Sequence, residues 1–82
     1  MDAIRDFITE YIQREYTFPA GADIMSIDYR AEGYIDSMGM IMFVASIEDE
    51  FGIEFTDEDM MDHEINTVGG IIAITEKKVR NL

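Results

Sequence analysis

The stretch from Gly33 to Phe51, GYIDSMGMIMFVASIEDEF, constrains this chain more than any other. Asp36 and Ser37 stand at what reads as a helix start. Met38, Met40, Ile41, Met42, Phe43, Val44, Ala45 and Ile47 follow, with only Gly39 and Ser46 among them, before Glu48, Asp49 and Glu50 restore polarity. A surface helix of a small domain carries one apolar stripe and one polar face. This segment has more apolar surface than one stripe uses. It is either packed from several sides or leaves part of its surface for another molecule.

Two stripes can be separated on it. Phe43, Ile47 and Phe51 recur at four-residue spacing with Val44 beside them, which is the pattern of a core face. Met38, Met42 and Ala45 form a second stripe that begins next to Ser37 and runs to Asp49. The helix opens with Asp36, among the best N-cap residues, and Ile35 before it is placed to pack against Met40 as a hydrophobic staple. The reciprocal capping box is missing, because its acidic position is Gly39. Ser37 therefore falls in the first turn, where backbone N–H groups lack helical partners and the dipole end is positive, and it is expected to be exposed. Gly52 is the expected stop.

Around this helix the chain reads as all-α. Ile4, Phe7, Ile8, Tyr11 and Ile12 share one face of a first helix from about Asp2 to Glu15, which Phe18, Pro19 and Gly21 bring to an end. Residues 17–35 show no sustained period. They nonetheless hold Phe18, Ile24, Met25, Ile27, Tyr29, Tyr34 and Ile35, so a structured loop pinned across the core is expected, with any short turns in it unplaced. Thr56 with Asp57, Glu58 and Asp59 predicts a short helix near residues 56–62, too short to stand without packing through Met60 or Met61. Thr67 reads as the cap of a last helix with Val68, Ile71, Ile72, Thr75 and Val79 on one face. Gly69 and Gly70 in its first turn point to close approach by a neighbouring helix. Ile53 to Phe55 is the one strand candidate, and it has no partner. The expected fold is a small antiparallel four-helix bundle, three long helices and one short, with a long structured first loop.

At 82 residues the chain reads as a single domain spanning 1–82, and without cysteine neither a disulfide nor a thiolate metal site staples it. No basic segment followed by an apolar run opens the chain, and no stretch approaches membrane-spanning length. A soluble cytoplasmic monomer, with no membrane partner, is the expectation. Six basic residues face 18 acidic ones, for a formal net charge of -12, and no Lys or Arg lies between Arg30 and Lys77. Nucleic acid is excluded as a partner, since its binding depends on cations that neutralise phosphates. Partners with basic faces fit this surface. With carboxylates crowded between Glu32 and Glu64, added salt or magnesium is expected to raise the melting temperature, and melting that is indifferent to salt would show the crowding absent.

Chemistry of its own is hard to build from these residues. A catalytic serine needs a base, and His63, in the acidic stretch DMMDHEIN, is the only histidine. A triad would also need an orienting acid and an oxyanion hole on a domain this small. Asp23 to Tyr34 does not follow the calcium-loop pattern, and Asp57, Glu58, Asp59, Asp62 and Glu64 read as a solvated face, so no metal site is expected. The chain reads as not an enzyme. An exposed serine, an apolar track leading away from it and an acidic rim describe a docking face.

The stretch GYIDSMGMIMFVASIEDEFGIEF, with a helix before it and DEDMMDHEINTVGGIIAI after it, resembles the acyl carrier protein family over almost the whole chain. The resemblance implies that Ser37, flanked by Asp36 and Met38, receives a 4'-phosphopantetheine arm from coenzyme A through a separate, magnesium-dependent phosphopantetheinyl transferase. The arm's thiol would then hold acyl, aminoacyl or peptidyl groups as thioesters for enzymes of fatty acid or specialised-metabolite biosynthesis. A loading ligase, synthase or transferase with a basic docking face would meet Met38, Ile41, Met42, Ala45, Glu48 and Asp49. The chain departs from carriers of fatty acid synthesis at Met38, Gly39 and Met42, where Leu, an acidic residue and Glu are usual. In this it is similar to carriers of D-alanine and to freestanding carriers of specialised metabolism. The alternative is an unmodified acidic interaction module that grips an amphipathic partner helix through its Met-rich second helix.

Overall fold

A computed structural model describes residues 3–17, 21 and 23–82. Asp2, Phe18 and Pro19, which the sequence reading placed at the ends of the first helix, lie outside the described residues. Among those described, the chain is all-helical: α1 Ala3–Glu15, α2 Ser37–Phe51, α3 Asp57–Met61 and α4 Val68–Arg80, with 3-10 turns at Ile24–Ser26 and His63–Asn66. Ile53–Phe55 forms no strand, and the one sheet-like feature is an isolated antiparallel bridge between Asp28 and Thr67.

The core gathers the apolar face of each long helix. Ile8 and Ile12 of α1, Met40, Phe43, Val44 and Ile47 of α2, and Val68, Ile71 and Ile72 of α4 are buried together with Tyr29, Ile35, Ile53 and Ile65. Aromatic pairs join α1 to α2: Tyr11 stacks on Phe43 at 4.8 Å between centroids, and Phe7 meets Phe51 edge-on at 5.5 Å. Thr75, buried inside α4, returns its hydroxyl to the Ile71 carbonyl at 2.8 Å, which removes the penalty of a buried unpaired group.

The first loop is tied to the turn before α4. The Tyr29 N–H donates to the Asn66 carbonyl at 3.1 Å, and the fully buried Tyr29 hydroxyl donates to the Ile65 carbonyl. Burial, helped by the charge of Asp28, pushes this phenol above its ordinary value, so it stays a neutral donor. The Tyr29 carbonyl in turn accepts from Tyr34 and Ile35, which leads the chain into α2. One side chain thus spans from the loop to the 3-10 turn, and its ring meets Phe43 edge-on at 5.8 Å.

Gly70 permits that arrangement, though not for the expected reason. The close neighbour is no helix side chain: a Cβ at Gly70 would overlap the Glu64 carbonyl and stand 2.8 Å from Thr67 Oγ1, while one at Gly69 would be 3.0 Å from the Met25 carbonyl. Backbone of the two 3-10 turns presses on the first turn of α4.

Five residues cannot sustain a helix alone, and α3 buries none of its own. It is held at its start. Thr56 Oγ1 accepts from the Asp59 N–H at 3.1 Å, Asp59 Oδ2 accepts from the Thr56 N–H at 2.8 Å, and Lys78 of α4 pairs with that carboxylate at 2.5 Å while lying 5.6 Å from the Phe55 ring centroid. Met60 packs against the core, whereas Met61 is exposed. Burial raises the Asp59 carboxyl, but hydrogen bonds from Lys78 and Thr56 and the Lys78 charge outweigh it and hold the group below its ordinary 3.8. A depressed carboxylate contributes stability above its unfolded value and loses it as pH falls through the folded one. Asp59→Ala is therefore expected to cost about 1 kcal/mol near neutrality, the usual worth of a helix cap. The gap to wild type should close below about pH 4 in paired thermal melts.

Candidate functional site

The N-terminus of α2 is assembled from the loop inward. Ile35 is buried and fixes the approach of the chain. Asp36 then adopts an extended conformation, with φ of -98° and ψ of -176°, and its Oδ1 accepts from the Gly39 N–H at 2.7 Å. The Asp36 carbonyl accepts from Met40 at 2.9 Å, closing the first helical turn. The amides of Ser37 and Met38, ahead of these bonds, have no carbonyl within the helix to meet.

Ser37 is the first residue of the helix and is exposed. Its hydroxyl differs from those of the other two serines. Ser26 Oγ donates to Asp23 Oδ2 at 2.8 Å and Ser46 Oγ to the Met42 carbonyl at 3.0 Å, whereas Ser37 has no partner among the described residues. The Ser37 oxygen is free for an incoming group.

Gly39 has a packing reason as well. A Cβ there would lie 2.9 Å from Ile35 Cγ1, 3.1 Å from Asp36 Oδ1 and 3.5 Å from the Tyr16 hydroxyl. Ile35, the cap and the end of α1 occupy the space of a side chain at this position. Burial, followed by the charges of Tyr11, Glu15 and Asp36, raises the Tyr16 phenol above its ordinary value, so it remains protonated beside the cap.

From Ser37 an apolar track runs along the outer face of α2. Met38 is 70% exposed, Ile41 66% and Met42 61%, and Ala45 continues the line to exposed Asp49. None of these contributes to the core, which takes Met40, Phe43, Val44 and Ile47 from the opposite side. Glu48 behaves differently from Asp49. It is half-buried, and its Oε2 accepts from the Phe55 N–H at 2.8 Å, so its carboxylate ties the loop after α2 to the helix.

The remaining acidic and basic candidates lie elsewhere. His63 is exposed at the start of the second 3-10 turn, and Asp62 caps that turn by accepting from the Glu64 N–H at 3.0 Å. No group of three or more His, Asp or Glu among the described residues is placed to hold a metal ion. An open groove of about 670 Å³ lies between the residues after α2 and the end of α4, lined by Ile53, Asp59, Ile74, Lys77 and Lys78 among others, but not by Ser37. No helix among the described residues is long and apolar enough to cross a membrane.

The tethering role of Glu48, the capping role of Asp59, the anchoring role of Tyr29 and the second 3-10 turn carry no plain signal in the sequence. Only Thr56 followed three residues later by Asp59 carried a local signal, that of a capping box with Asp in place of Glu.

What the α2 N-terminus can do follows from this geometry. An unbonded, exposed hydroxyl beside unpaired amides at the positive end of a helix suits a phosphodiester, whose charge the amides and the dipole favour. A 4'-phosphopantetheine arm on Ser37 fits without displacing any hydrogen bond among the described residues. The family model for the phosphopantetheine attachment site matches residues 6–74, a span that takes in all of α2 and α3. Neither a curated protein nor a solved structure matches the chain. The chain belongs to the acyl carrier protein family, and the domain matched over residues 6–74 is a carrier domain that bears a phosphopantetheine arm.

Proposed function

We propose that residues 1–82 act as a single carrier domain whose arm is attached to Ser37, and that it presents acyl, aminoacyl or peptidyl groups to partner enzymes. The observation that carries this reading is the Ser37 hydroxyl, exposed and unbonded at the first position of α2 inside the matched span. In the loading step the Ser37 oxygen attacks a phosphorus of coenzyme A. The Oγ–P bond forms, the pyrophosphate bond breaks, and adenosine bisphosphate leaves, with the hydroxyl proton taken by the transferase. The arm supplies a thiol to a chain that has no cysteine.

Asp36 serves this step by holding the first turn through its Oδ1, which accepts from the Gly39 amide. Met38, Ile41, Met42 and Ala45 offer partners an apolar face, with Asp49 as the free carboxylate at its far end and Glu48 partly committed to Phe55. At Gly39, where fatty acid carriers usually have an acid, a side chain would stand 2.9 Å from Ile35 Cγ1, so Ile35 would have to shift to admit one. This favours a carrier of another acyl or aminoacyl pathway, loaded by a ligase, synthase or transferase of that pathway.

The test is intact mass before and after incubation with coenzyme A, magnesium and a broad-specificity phosphopantetheinyl transferase. A gain of one phosphopantetheinyl group is expected. A folded sample that gains nothing removes the proposal and leaves an unmodified interaction module in its place.

A further inference from the structure

The chain has seven methionines, and the six among the described residues are distributed unevenly between interior and surface. Met40 is 3% exposed in the core, and Met25 and Met60 pack partly buried against it. Met38 and Met42 are 70% and 61% exposed, and Met61 on α3 is 81% exposed. Oxidation of a thioether depends on access to its sulfur. Among the described residues the most exposed methionines are therefore Met38, Met42 and Met61, and the first two lie four residues apart on one face of α2, next to Ser37 and on either side of exposed Ile41.

We propose that Met38 and Met42 form an oxidation-sensitive site through which a hydroperoxide lowers the ability of α2 to dock partners. The proposal rests on the reading of Ser37 as the attachment site. The thioether sulfur attacks the peroxide, the O–O bond breaks, and one oxygen atom is transferred to sulfur. With hydrogen peroxide the other oxygen leaves as water, the sulfur being oxidised by two electrons and the peroxide reduced by two. The chain has no cysteine that would take the oxidant first. The product is a flexible apolar side chain turned into a polar one.

The position of the two residues decides the consequence. Neither is part of the core, so a sulfoxide at either projects into water and leaves the fold intact. A partner that covers the track must instead bury the new oxygen. An unpaired polar group in an otherwise apolar interface is penalised enough to weaken docking roughly tenfold. Met61 supplies an internal comparison, because it is as open to oxidant as the pair and lies on α3, off the α2 track.

The test treats the full chain, without its arm, with hydrogen peroxide and removes the oxidant. Sulfoxide is then mapped by peptide mass spectrometry, and the rate of arm transfer by a broad-specificity phosphopantetheinyl transferase is measured at subsaturating protein. Expected are sulfoxide at Met38, Met42 and Met61 before Met40, an unchanged melting temperature, and a transfer rate roughly tenfold lower. Methionine sulfoxide reductase should restore the rate. In the double variant Met38→Leu, Met42→Leu, peroxide should oxidise Met61 and leave the variant's own untreated rate as it was. Oxidation of Met40 as fast as Met38, or full sulfoxide at 38 and 42 with an undiminished rate, overturns the proposal. Untreated protein that accepts no arm overturns the carrier reading and the switch together, whereas normal loading both before and after oxidation overturns the switch alone.

Discussion

Ser37→Ala is expected to abolish arm attachment entirely while leaving the fold as stable as wild type. Ser37 is exposed and its hydroxyl bonds to nothing among the described residues, so its removal deletes no interaction that holds the domain together. The helix keeps its start, because the cap is the Asp36 carboxylate on the Gly39 amide. A surface change of this kind stays within about 0.5 kcal/mol, which for a domain of this size moves the melting temperature by no more than about 4 °C. The chemical effect is all-or-none, since no neighbouring hydroxyl can substitute: Ser26 and Ser46 are bonded to Asp23 and to the Met42 carbonyl. Intact mass with the transferase and a thermal melt, run on the same sample, read the two halves separately. A variant that still gains the arm would move the site off Ser37. One that loses both arm and fold would show that the hydroxyl is structural.

Gly70→Ala should be the most damaging single-methyl change in α4. In an open helix such a substitution gains about 0.5–1 kcal/mol. Here the added carbon would stand 2.6 Å from the Glu64 carbonyl carbon and overlap its oxygen, so what must move is backbone and not the tip of a side chain. The turn that would shift also carries Tyr29: its Ile65 and Asn66 carbonyls receive the Tyr29 hydroxyl and amide, and the Thr67 cap on Gly70 begins α4. Strain at Gly70 therefore reaches the first loop and, through the Tyr29 carbonyl, the entry to α2. A net loss of about 3 kcal/mol is expected, at the upper end for overpacking. That corresponds to a fall of roughly 12–24 °C in melting temperature. Urea melts should show the same order of loss. A variant that melts with or above wild type would mean that the close approach is not present in solution.

The long helices were readable because their information is local and repeated. The apolar spacing of Ile4, Phe7, Ile8, Tyr11 and Ile12 is that of α1, and Asp36 and Gly52 bound α2 as cap and left-handed stop, the latter with φ of 67°. Thr67 caps α4 through the Gly70 amide at 3.0 Å. The exposure of Ser37 and of the Met38–Met42 track follows from the same regularity, since a helix whose core face is already supplied by Phe43 and Ile47 turns those residues outward.

The short elements were not readable in this way. The 3-10 turns at Ile24–Ser26 and His63–Asn66 are too brief for any period, and what holds them is Tyr29 and the crowded start of α4, dozens of residues apart in sequence. Glu48 and Asp49 are neighbours of like charge and similar propensity. Only their placement on α2 relative to Phe55 makes one a tether and leaves the other free. Lys78 looked like a cation suited to a helix C-terminus, and became a clamp on Asp59 because α3 packs beneath it.

The sequence by itself determined the helices, the exposed serine and the apolar face beside it, because caps and 3.6-residue periodicity act within a few residues of the positions they specify. Tertiary structure alone decided which carboxylates remain free for a partner, how closely Ile35 and Tyr16 crowd Gly39, and how the first loop is anchored. These depend on groups that only folding brings within hydrogen-bonding or van der Waals distance.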